Sequence, residues 1–338
     1  MLSGGIAMNE QILRDHYAKR GFSIQQADEA VASVEELQAW QEARQQSLEH
    51  ATRDQIRAYI KALIADRRNS LETLLALARY FYLTGQLDLY VYFTSLLGGV
   101  GVVDSIRERL GKWIDPSEAK ALVDAVEHPP LGADPADFPA FTRALMDRLE
   151  DHLPREIVRS ALAGNHHQIP AEAFEEDIAL YRSSGSIDAF LRAIYLRQLE
   201  TLQRHCDTGT VWFEQIITQE VVDFVAQNLE ILSAVREGDT LYHTKIPYDP
   251  VRYLSETDPV KKRYYACHCP FVREAILKGE ANISGDWCYC SAGFAKHPYE
   301  VVLGRELSVA VLQSVLRGDP VCRFAIYLPS DLPSGADE

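Results

Sequence analysis

The sequence predicts an α+β protein, in which a mostly helical N-terminal region precedes a C-terminal α+β domain with an antiparallel sheet. Apolar residues recur at helical spacing over most of residues 9–237, whereas β-forming residues alternate after Gly238. All six cysteines lie beyond residue 205, so the chemistry changes along the chain together with the fold. Of the 338 residues, 47% are hydrophobic and 25% charged, which is typical of globular proteins.

Residues 9–127 are predicted to form a helical N-terminal region. One helix is expected to start at Asn69, which has the spacing of a capping box to Glu72. Gly85 is expected to end that helix, because glycine readily adopts the left-handed conformation that closes helices. A further helix is predicted between Asp88 and Gly98, so this region consists of short helices packed on one another.

A proline-rich linker is predicted at residues 128–139, since proline disfavours regular helix and the residue before it favours extended backbone. Beyond the linker, residues 140–237 are again helical in pattern. Ile187, Phe190 and Ile194 form one apolar stripe there. This second helical region leads into the domain that we predict for the remainder of the chain.

Strands and short helices are predicted within the C-terminal domain, residues 238–330. Thr240–Ile246 alternates as a strand does, and Arg317-Gly-Asp-Pro320 has the composition of a turn. The other predicted elements are strands at Leu307–Leu316, Val321–Leu328 and Tyr264–Cys269, a strand or loop at Trp287–Cys290, and helices from Pro270 to Ile276 and from Pro298 to Leu303, the last ended by Gly304.

The charge balance and apolar runs bear on partners and location. The 34 Lys+Arg and 49 Asp+Glu residues give a formal net charge of −15, which opposes binding to nucleic acid. The longest apolar run, Leu96–Val103, is far shorter than the ~20 residues of a membrane-spanning helix. Met1–Ala7 lacks the basic start and long apolar core of a signal peptide. We therefore expect a cytoplasmic protein without nucleic-acid or membrane partners, and a homo-oligomer stays open.

Five clustered cysteines form the sharpest pattern in the sequence. Two Cys-x-Cys pairs on strands would each direct both thiols to one face, and four thiolates would close a tetrahedral zinc site. Zinc is favoured over an iron–sulfur cluster, because familiar ferredoxin spacings place two or more residues between ligands. A redox disulfide and inert buried thiols are the alternatives. The predicted metal ligands are Cys267, Cys269, Cys288, Cys290 and Cys322.

Three further residues are candidates for binding or catalysis. Lys245 follows a predicted strand and has the charge to bind a ligand carboxylate, although a solvated lysine at the sheet edge is the alternative. Arg323 would face away from the neighbouring Cys322 and has the geometry to hold a carboxylate with two hydrogen bonds, or to form a surface salt bridge. His297 is a candidate general base near the thiols, or a polar cap before Pro298.

The C-terminal domain resembles a known family of small-molecule-binding domains. The resemblance rests on Cys288-Tyr-Cys-Ser-Ala-Gly-Phe, on Leu303-Gly and on Gly318-Asp-Pro-Val-Cys-Arg-Phe324. These segments resemble 4-vinyl reductase-type domains and the related L-2-amino-thiazoline-4-carboxylic acid hydrolase-like proteins. The resemblance implies an α+β domain closed by a hairpin around a small-molecule pocket.

The same resemblance implies a zinc site of which only some ligands are present. Two zinc ligands of the phenol-sensing relatives fall on Cys288 and Cys322, whereas the other two fall on Val311 and Ser314, which are poor zinc ligands. The remaining clustered thiols would then have to replace the missing ligands.

Two classes of function follow from these patterns. In the first, the protein binds a small molecule and holds a structural zinc on thiolates. In the second, it is a hydrolase that opens a C–N bond of a small heterocycle, as the resemblance to the thiazoline hydrolase implies. The attacking group would be zinc-bound hydroxide or a cysteine nucleophile, with Cys290 and Cys322 as the candidates. The sequence favours binding slightly, because it contains neither a Glu/His pair at ligand-plus-base spacing nor a glycine-rich phosphate loop.

Overall fold

The computed structural model describes residues 9–280 and 282–330, and Met1–Ala7 lies outside this part of the chain. The described chain divides into two compact units. The first comprises residues 9–98 with 129–137, and the second comprises residues 99–128 with 138–330. The units change near the predicted ends of the proline-rich segment, residues 128–139, most of which belongs to the first unit, and also at residues 98/99, where no boundary is predicted. The division has no boundary near residue 237.

The first unit is helical, as the sequence predicts. Capping boxes at Ser23 and Thr52 start two of its helices. The prediction of Asn69 as a cap is wrong: the hydroxyl of Ser70 accepts from the Thr73 amide, while Asn69 donates to the carbonyl of Leu131. The helices are α1 (Glu10–Lys19), α2 (Ile24–Glu42), α3 (Arg53–Ala65), α4 (Leu71–Leu83) and α5 (Leu87–Leu97). Leucines, tyrosines and phenylalanines of these helices form one apolar core.

The second unit carries the remaining helices, most of them short. Aspartate before proline starts several, because its carboxylate accepts from amides of the first turn while proline fits the first helical position. In chain order they are α6 (Val102–Leu110), α7 (Pro116–Asp124), α8 (Phe138–His152), α9 (Arg155–Leu162), α10 (Glu175–Ser184), α11 (Ile187–Thr208), α12 (Gln219–Ala226), α13 (Pro250–Ser255), α14 (Pro259–Ala266), α15 (Arg273–Lys278) and α16 (Tyr289–Leu303).

An antiparallel four-stranded sheet completes the second unit and confirms the α+β class. Its order is β1-β2-β4-β3, and the two last strands form the predicted hairpin around the Arg317–Pro320 turn. Leu241 lies opposite Ile326, and both side chains are fully buried in an apolar cluster with α11 and α16. The strands are β1 (Val235–Glu237), β2 (Thr240–Thr244), β3 (Ser308–Gln313) and β4 (Arg323–Tyr327).

Several predicted elements around the cysteines are wrong. The strand predicted at Tyr264–Cys269 is the end of α14 followed by a loop, because the Asp258 carboxylate caps this segment as a helix. Trp287–Cys290 is neither strand nor loop but a 3₁₀ turn that continues into α16. Pro298 lies inside α16 instead of starting a helix, although Gly304 ends it as predicted, with a φ of +67°.

One described stretch, Leu87–Leu110, is long and apolar enough to cross a membrane by length and composition alone. A turn at residues 98–101 divides it into α5 and α6, and Gly101 has a φ of +74° there. Such a stretch is weak evidence of a membrane span, because core helices of soluble proteins share these properties. The cellular location stays a prediction.

A buried carboxylate ties α9 to the turn that precedes α16. Asp286 is 1% exposed and accepts from the guanidinium groups of Arg155, Arg159 and Arg317. Burial opposes its charge, but the hydrogen bonds from Arg155 and Arg159 prevail and lower the pKa of Asp286 to about 2. This clasp fixes the start of the helix that carries Cys290.

A close backbone approach fixes the middle of α16. A Cβ atom at Gly293 would lie 2.5 Å from the carbonyl oxygen of Gly164 and 2.6 Å from the carbonyl carbon of Ala163, just after α9. Real Cβ atoms essentially never come this close to another backbone, so glycine is the residue that fits. The helix that bears the predicted site is therefore held at two points against α9.

Candidate functional site

The five clustered cysteines come from three separate segments of the second unit. Cys267 and Cys269 lie in the loop between α14 and α15, Cys288 and Cys290 at the start of α16, and Cys322 just before β4. None of the pairs lies on a strand, so the geometric reason for predicting convergent thiols is wrong. All six cysteines of the chain are free in the structure.

Hydrogen bonds hold two of these sulfur atoms in the interior. The indole N–H of Trp287, itself 1% exposed, donates to Cys269 Sγ over 3.2 Å. Cys288 Sγ lies 2.9 Å from the hydroxyl of the fully buried Ser314. The resemblance placed a zinc ligand at Ser314, and the structure pairs this residue with Cys288.

Burial raises the pKa of all five thiols. For Cys290 the pKa rises to about 12, with further repulsion from Cys269. Burial also dominates for Cys267 and Cys288, and each of them is raised further by neighbouring thiols, Cys322 among them. The five groups thus share one interior region and are neutral thiols at pH 7. Neutral thiols are poor nucleophiles, since the thiolate is the attacking form.

The donor set has the sulfur chemistry that zinc prefers. Within residues 9–280 and 282–330, no group of three or more His, Cys, Asp or Glu side chains is arranged to hold a metal ion. The zinc and iron–sulfur assignments therefore stay predictions from the sequence, and no chemical step below depends on them.

Lys245 lies immediately after β2, where the sheet meets this thiol-rich interior. Its backbone N–H donates to the carbonyl of Cys322 over 2.9 Å. Its ammonium group donates to the Ser291 hydroxyl over 3.0 Å and lies 4.9 Å from the centroid of the Phe294 ring. In the part of the chain that the structure describes, no carboxylate oxygen lies within 4.0 Å of this ammonium group. The half-buried lysine is thus a cation without an anionic partner.

The charge of Lys245 acts on the titratable groups around it. Loss of hydration where its ring packs against the protein, and then Lys245, lower the pKa of His167 to about 4. Burial also lowers the pKa of His243 to about 4 and lowers that of His268, and Lys245 acts in the same direction on both. His167 and His243 are therefore neutral at pH 7. Burial opposes the charge of Glu214, but the hydrogen bond from His268 and the charges of His268 and Lys245 prevail and lower the pKa of this carboxyl. Glu214 is thus a charged carboxylate near Lys245, but beyond ion-pair distance of its ammonium group.

A tight hairpin presents Glu214 to this region. Backbone hydrogen bonds join Trp212 and Gln215 in both directions, which places Phe213 and Glu214 at the tip. The Gln215 amide, 2% exposed, anchors the hairpin by donating to the Pro247 carbonyl over 2.9 Å. Phe213 has a φ of +52°, a left-handed conformation that costs about 1–2 kcal/mol for a residue with a side chain. Such backbone strain concentrates at functional sites.

Glu214 and His268 connect the hairpin to the cysteine loop. Glu214 Oε1 lies 3.5 Å from His268 Nδ1, and His268 Nε2 lies 2.6 Å from the Ile246 carbonyl. Sequence reasoning missed both residues. The Trp212–Gln215 segment has no glycine or asparagine to indicate a left-handed turn, and the Cys-x-Cys pattern assigns no role to His268, the residue between the two thiols.

The site reaches the surface at aromatic side chains. Phe294 is 37% exposed, and the exposed His167 packs edge-on against it with ring centroids 5.3 Å apart. Phe213 at the hairpin tip is 69% exposed. The ammonium group of Lys245 therefore lies beneath aromatic rings that solvent can reach. This combination of an apolar mouth and a single cation is typical of a small-molecule site.

The two other candidates have partners within the protein. Arg323 binds Glu230 with two hydrogen bonds of 2.8 and 2.6 Å, so the guanidinium holds a carboxylate of its own chain. His297 Nε2 lies 3.2 Å from the Ile169 carbonyl, and its ring packs edge-on against Phe174. These contacts favour structural roles for both residues.

Comparison with known proteins adds one similarity. Residues 251–332 match a family of unknown function (DUF6144), which covers the cysteine loop, α15, α16 and the C-terminal hairpin. No curated protein and no solved structure matches the chain. The match assigns no chemistry, so the argument for function rests on the geometry around Lys245.

Proposed function

We propose that the second unit binds a small molecule that carries a carboxylate, and that Lys245 pairs with this group. The observation that carries the proposal is a half-buried ammonium group with a single hydroxyl partner, Ser291, beneath the partly exposed ring of Phe294. A cation withdrawn from water loses hydration, and an anionic ligand would restore the lost interaction.

The surroundings favour an organic carboxylate over an inorganic ion. Phe294 offers apolar surface beside the cation, and a ligand with an aromatic or heterocyclic ring would bury it. The Ser291 hydroxyl supplies a second donor next to Lys245. Charge-assisted hydrogen bonds of this kind are about twice as strong as neutral ones, so the site should prefer a charged carboxylate to a neutral amide of the same shape.

Binding is supported more than hydrolysis by the state of the candidate catalytic groups. Burial raises the pKa of Cys290 and Cys322, so neither is a ready nucleophile at pH 7. His268 has a backbone carbonyl at one ring nitrogen and Glu214 at the other, which leaves no free nitrogen to act as a base. Hydrolysis of a C–N bond stays a prediction from the sequence.

Titration calorimetry with benzoate and benzamide tests the proposal, because the two probes share a ring and differ in charge. We expect benzoate to bind and benzamide to bind at least about tenfold more weakly. Lys245→Met should abolish the preference, since it keeps most of the side-chain volume and removes the cation. Lys261→Met, at an exposed position on α14, is the matched control and should behave as the wild type.

Two results would overturn the proposal. One is equal binding of benzoate to the wild type and to Lys245→Met, with both proteins folded by circular dichroism. The other is an absence of benzoate binding together with an absence of binding by a panel of heterocyclic carboxylates. Location, oligomeric state and the absence of nucleic-acid partners are separate predictions that this experiment does not address.

A further inference from the structure

A second buried cation lies in the same unit without a counter-charge. Arg273, the first residue of α15, is 6% exposed. Its guanidinium carbon lies 4.2 Å from the centroid of the Tyr248 ring and 5.4 Å from that of Tyr264. Cation–π contacts of this kind contribute about 0.5–2 kcal/mol each, much less than the several kcal/mol that dehydrating an ion costs.

The polar atoms of this cage lack partners. Arg273 Nε and the Tyr248 hydroxyl are both buried, and among the described residues neither has a partner in hydrogen-bond geometry, although Tyr248 is close enough to favour the charge of Arg273. Among residues 9–280 and 282–330, no carboxylate oxygen lies within 4.0 Å of the Arg273 guanidinium. The neighbouring Glu274 is engaged instead by the Tyr264 hydroxyl over 3.0 Å. Buried donors without acceptors are uncommon in native proteins, so these two call for an explanation.

Among the described residues, the groups that favour the charge of Arg273 are the phenol of Tyr248 foremost, then that of Tyr264 and the thiol of Cys267. None of the three is a carboxylate, so the guanidinium has no carboxylate as a counter-charge within this cage.

We propose that Arg273 and Tyr248 form a binding site for a small oxyanion, namely a carboxylate, phosphate or sulfate group. Arg273 provides the charge and a planar set of N–H donors, and Tyr248 adds an O–H donor. The site adjoins the Lys245 region, because the Tyr248 ring packs edge-on against His268 with centroids 5.5 Å apart. It uses different residues and does not depend on the proposal for Lys245.

Thermal unfolding at constant ionic strength tests the site with phosphate, sulfate and acetate as probes and chloride as the reference salt. We expect at least one oxyanion to raise the unfolding midpoint in a saturable manner, as a ligand of the folded state does. The response to the three probes distinguishes a tetrahedral dianion from a carboxylate. General salt effects do not saturate, so the shape of the curve separates binding from them.

Two variants assign the effect to these residues. Arg273→Met should remove the saturable rise, and Tyr248→Phe should raise the apparent dissociation constant about three- to tenfold, the value of one hydrogen bond. Arg252→Met and Tyr265→Phe are matched controls from the neighbouring helices and should keep the response. If Arg273→Met does not fold, the Tyr248→Phe comparison still tests the site, because it keeps the ring and removes one oxygen.

Three outcomes would overturn the inference. The first is a non-saturable response to all three anions. The second is a saturable response that Tyr248→Phe leaves unchanged, or that a folded Arg273→Met retains. The third is an ultraviolet thiolate absorbance at neutral pH that Cys267→Ser removes, since the thiolate would then be the counter-charge of Arg273.

Discussion

The interiors of the two units differ in what they bury. The first unit packs apolar side chains from five helices. Among its described residues, Gln41 is the one polar side chain that is buried together with them. The second unit buries an aspartate, a lysine, an arginine and several neutral polar residues in addition to its apolar side chains. Those charged residues are Asp286, Lys296 and Arg273.

This difference indicates that the interior of the first unit is structural, whereas the interior of the second contains charged groups that could bind a ligand. Buried charges cost free energy unless they are paired, and Asp286 and Lys296 have such partners. Arg273 has no anionic partner, and the half-buried Lys245 has none either in the described chain. An unpaired cation is costly for folding alone, so the second unit is where we expect ligands to bind.

The largest loss of stability in the second unit is expected from Gly293→Ala in α16. The added Cβ would meet backbone atoms of Ala163 and Gly164, which cannot rotate away as a side chain does. We expect a loss of about 3 kcal/mol or more in the free energy of unfolding of the second unit. Hydrogen exchange followed by mass spectrometry measures this loss for peptides of each unit separately.

Gly85→Ala in the first unit is the control for that substitution. Gly85 has a φ of +75° and no atom within 4 Å of the added Cβ, so the expected cost is about 1 kcal/mol from backbone strain alone. Equal costs for the two substitutions would show that the close approach of α9 and α16 is not a constraint, and would remove one difference between the units.

The next largest effect concerns the free energy of unfolding at acidic pH. Because the pKa of Asp286 is lowered to about 2 in the folded state, its carboxylate stabilises the protein above its unfolded value of 3.8. That contribution, about 2.5 kcal/mol, is lost as the pH falls from about 4 to about 2. Asp286→Asn should therefore cost stability at pH 7, and the difference from the wild type should shrink below pH 4. Urea unfolding across this pH range measures it.

Asp54→Asn in the first unit supplies the comparison, since this side chain is 89% exposed and its ion pair with Arg57 is screened. Its effect should be small at every pH. A constant difference between Asp286→Asn and the wild type down to pH 2 would contradict the assigned role of the three arginines.

The smallest effect on stability is expected from changes at the thiols, and the property to measure there is their reactivity. A chromogenic disulfide reagent at pH 7 should modify the part-exposed Cys206, Cys269 and Cys322 first, and the buried Cys267, Cys288 and Cys290 only slowly. Cys206→Ser should remove one thiol from the fast phase, and denaturant should expose all remaining thiols. The counts should not change with a chelator. Release of thiols by the chelator, with one equivalent of zinc, would instead support the metal site predicted from the sequence.

The sequence predicts periodic elements better than the site. The stripe of Ile187 and Phe190, the strand from Thr240 and the hairpin around Gly318 all occur, because periodicity and turn composition are local properties. Tyr264–Cys269 failed as a strand because its short β-forming run is preceded by a stronger local signal, the capped start at Asp258-Pro259.

The site itself depends on contacts between distant segments. Lys245 was a candidate from its place after a strand, but its lack of an anionic partner is visible only once Ser291 and Phe294 are packed beside it. Arg273 carried no signal at all, because an arginine at the start of a short helix is ordinarily solvated. The strained turn at Phe213 was equally hidden, since nothing in its sequence favours a positive φ.

The double attachment of α16 to α9 has a consequence for motion. A helix held by a three-arginine clasp at one end and by a backbone approach at Gly293 moves with α9 as a rigid body. Any opening that admits a ligand to Lys245 must then come from the other wall, where the Trp212–Gln215 hairpin is joined by few hydrogen bonds and already stores backbone strain. The hairpin would then move, and α16 would stay fixed on the opposite side of the site.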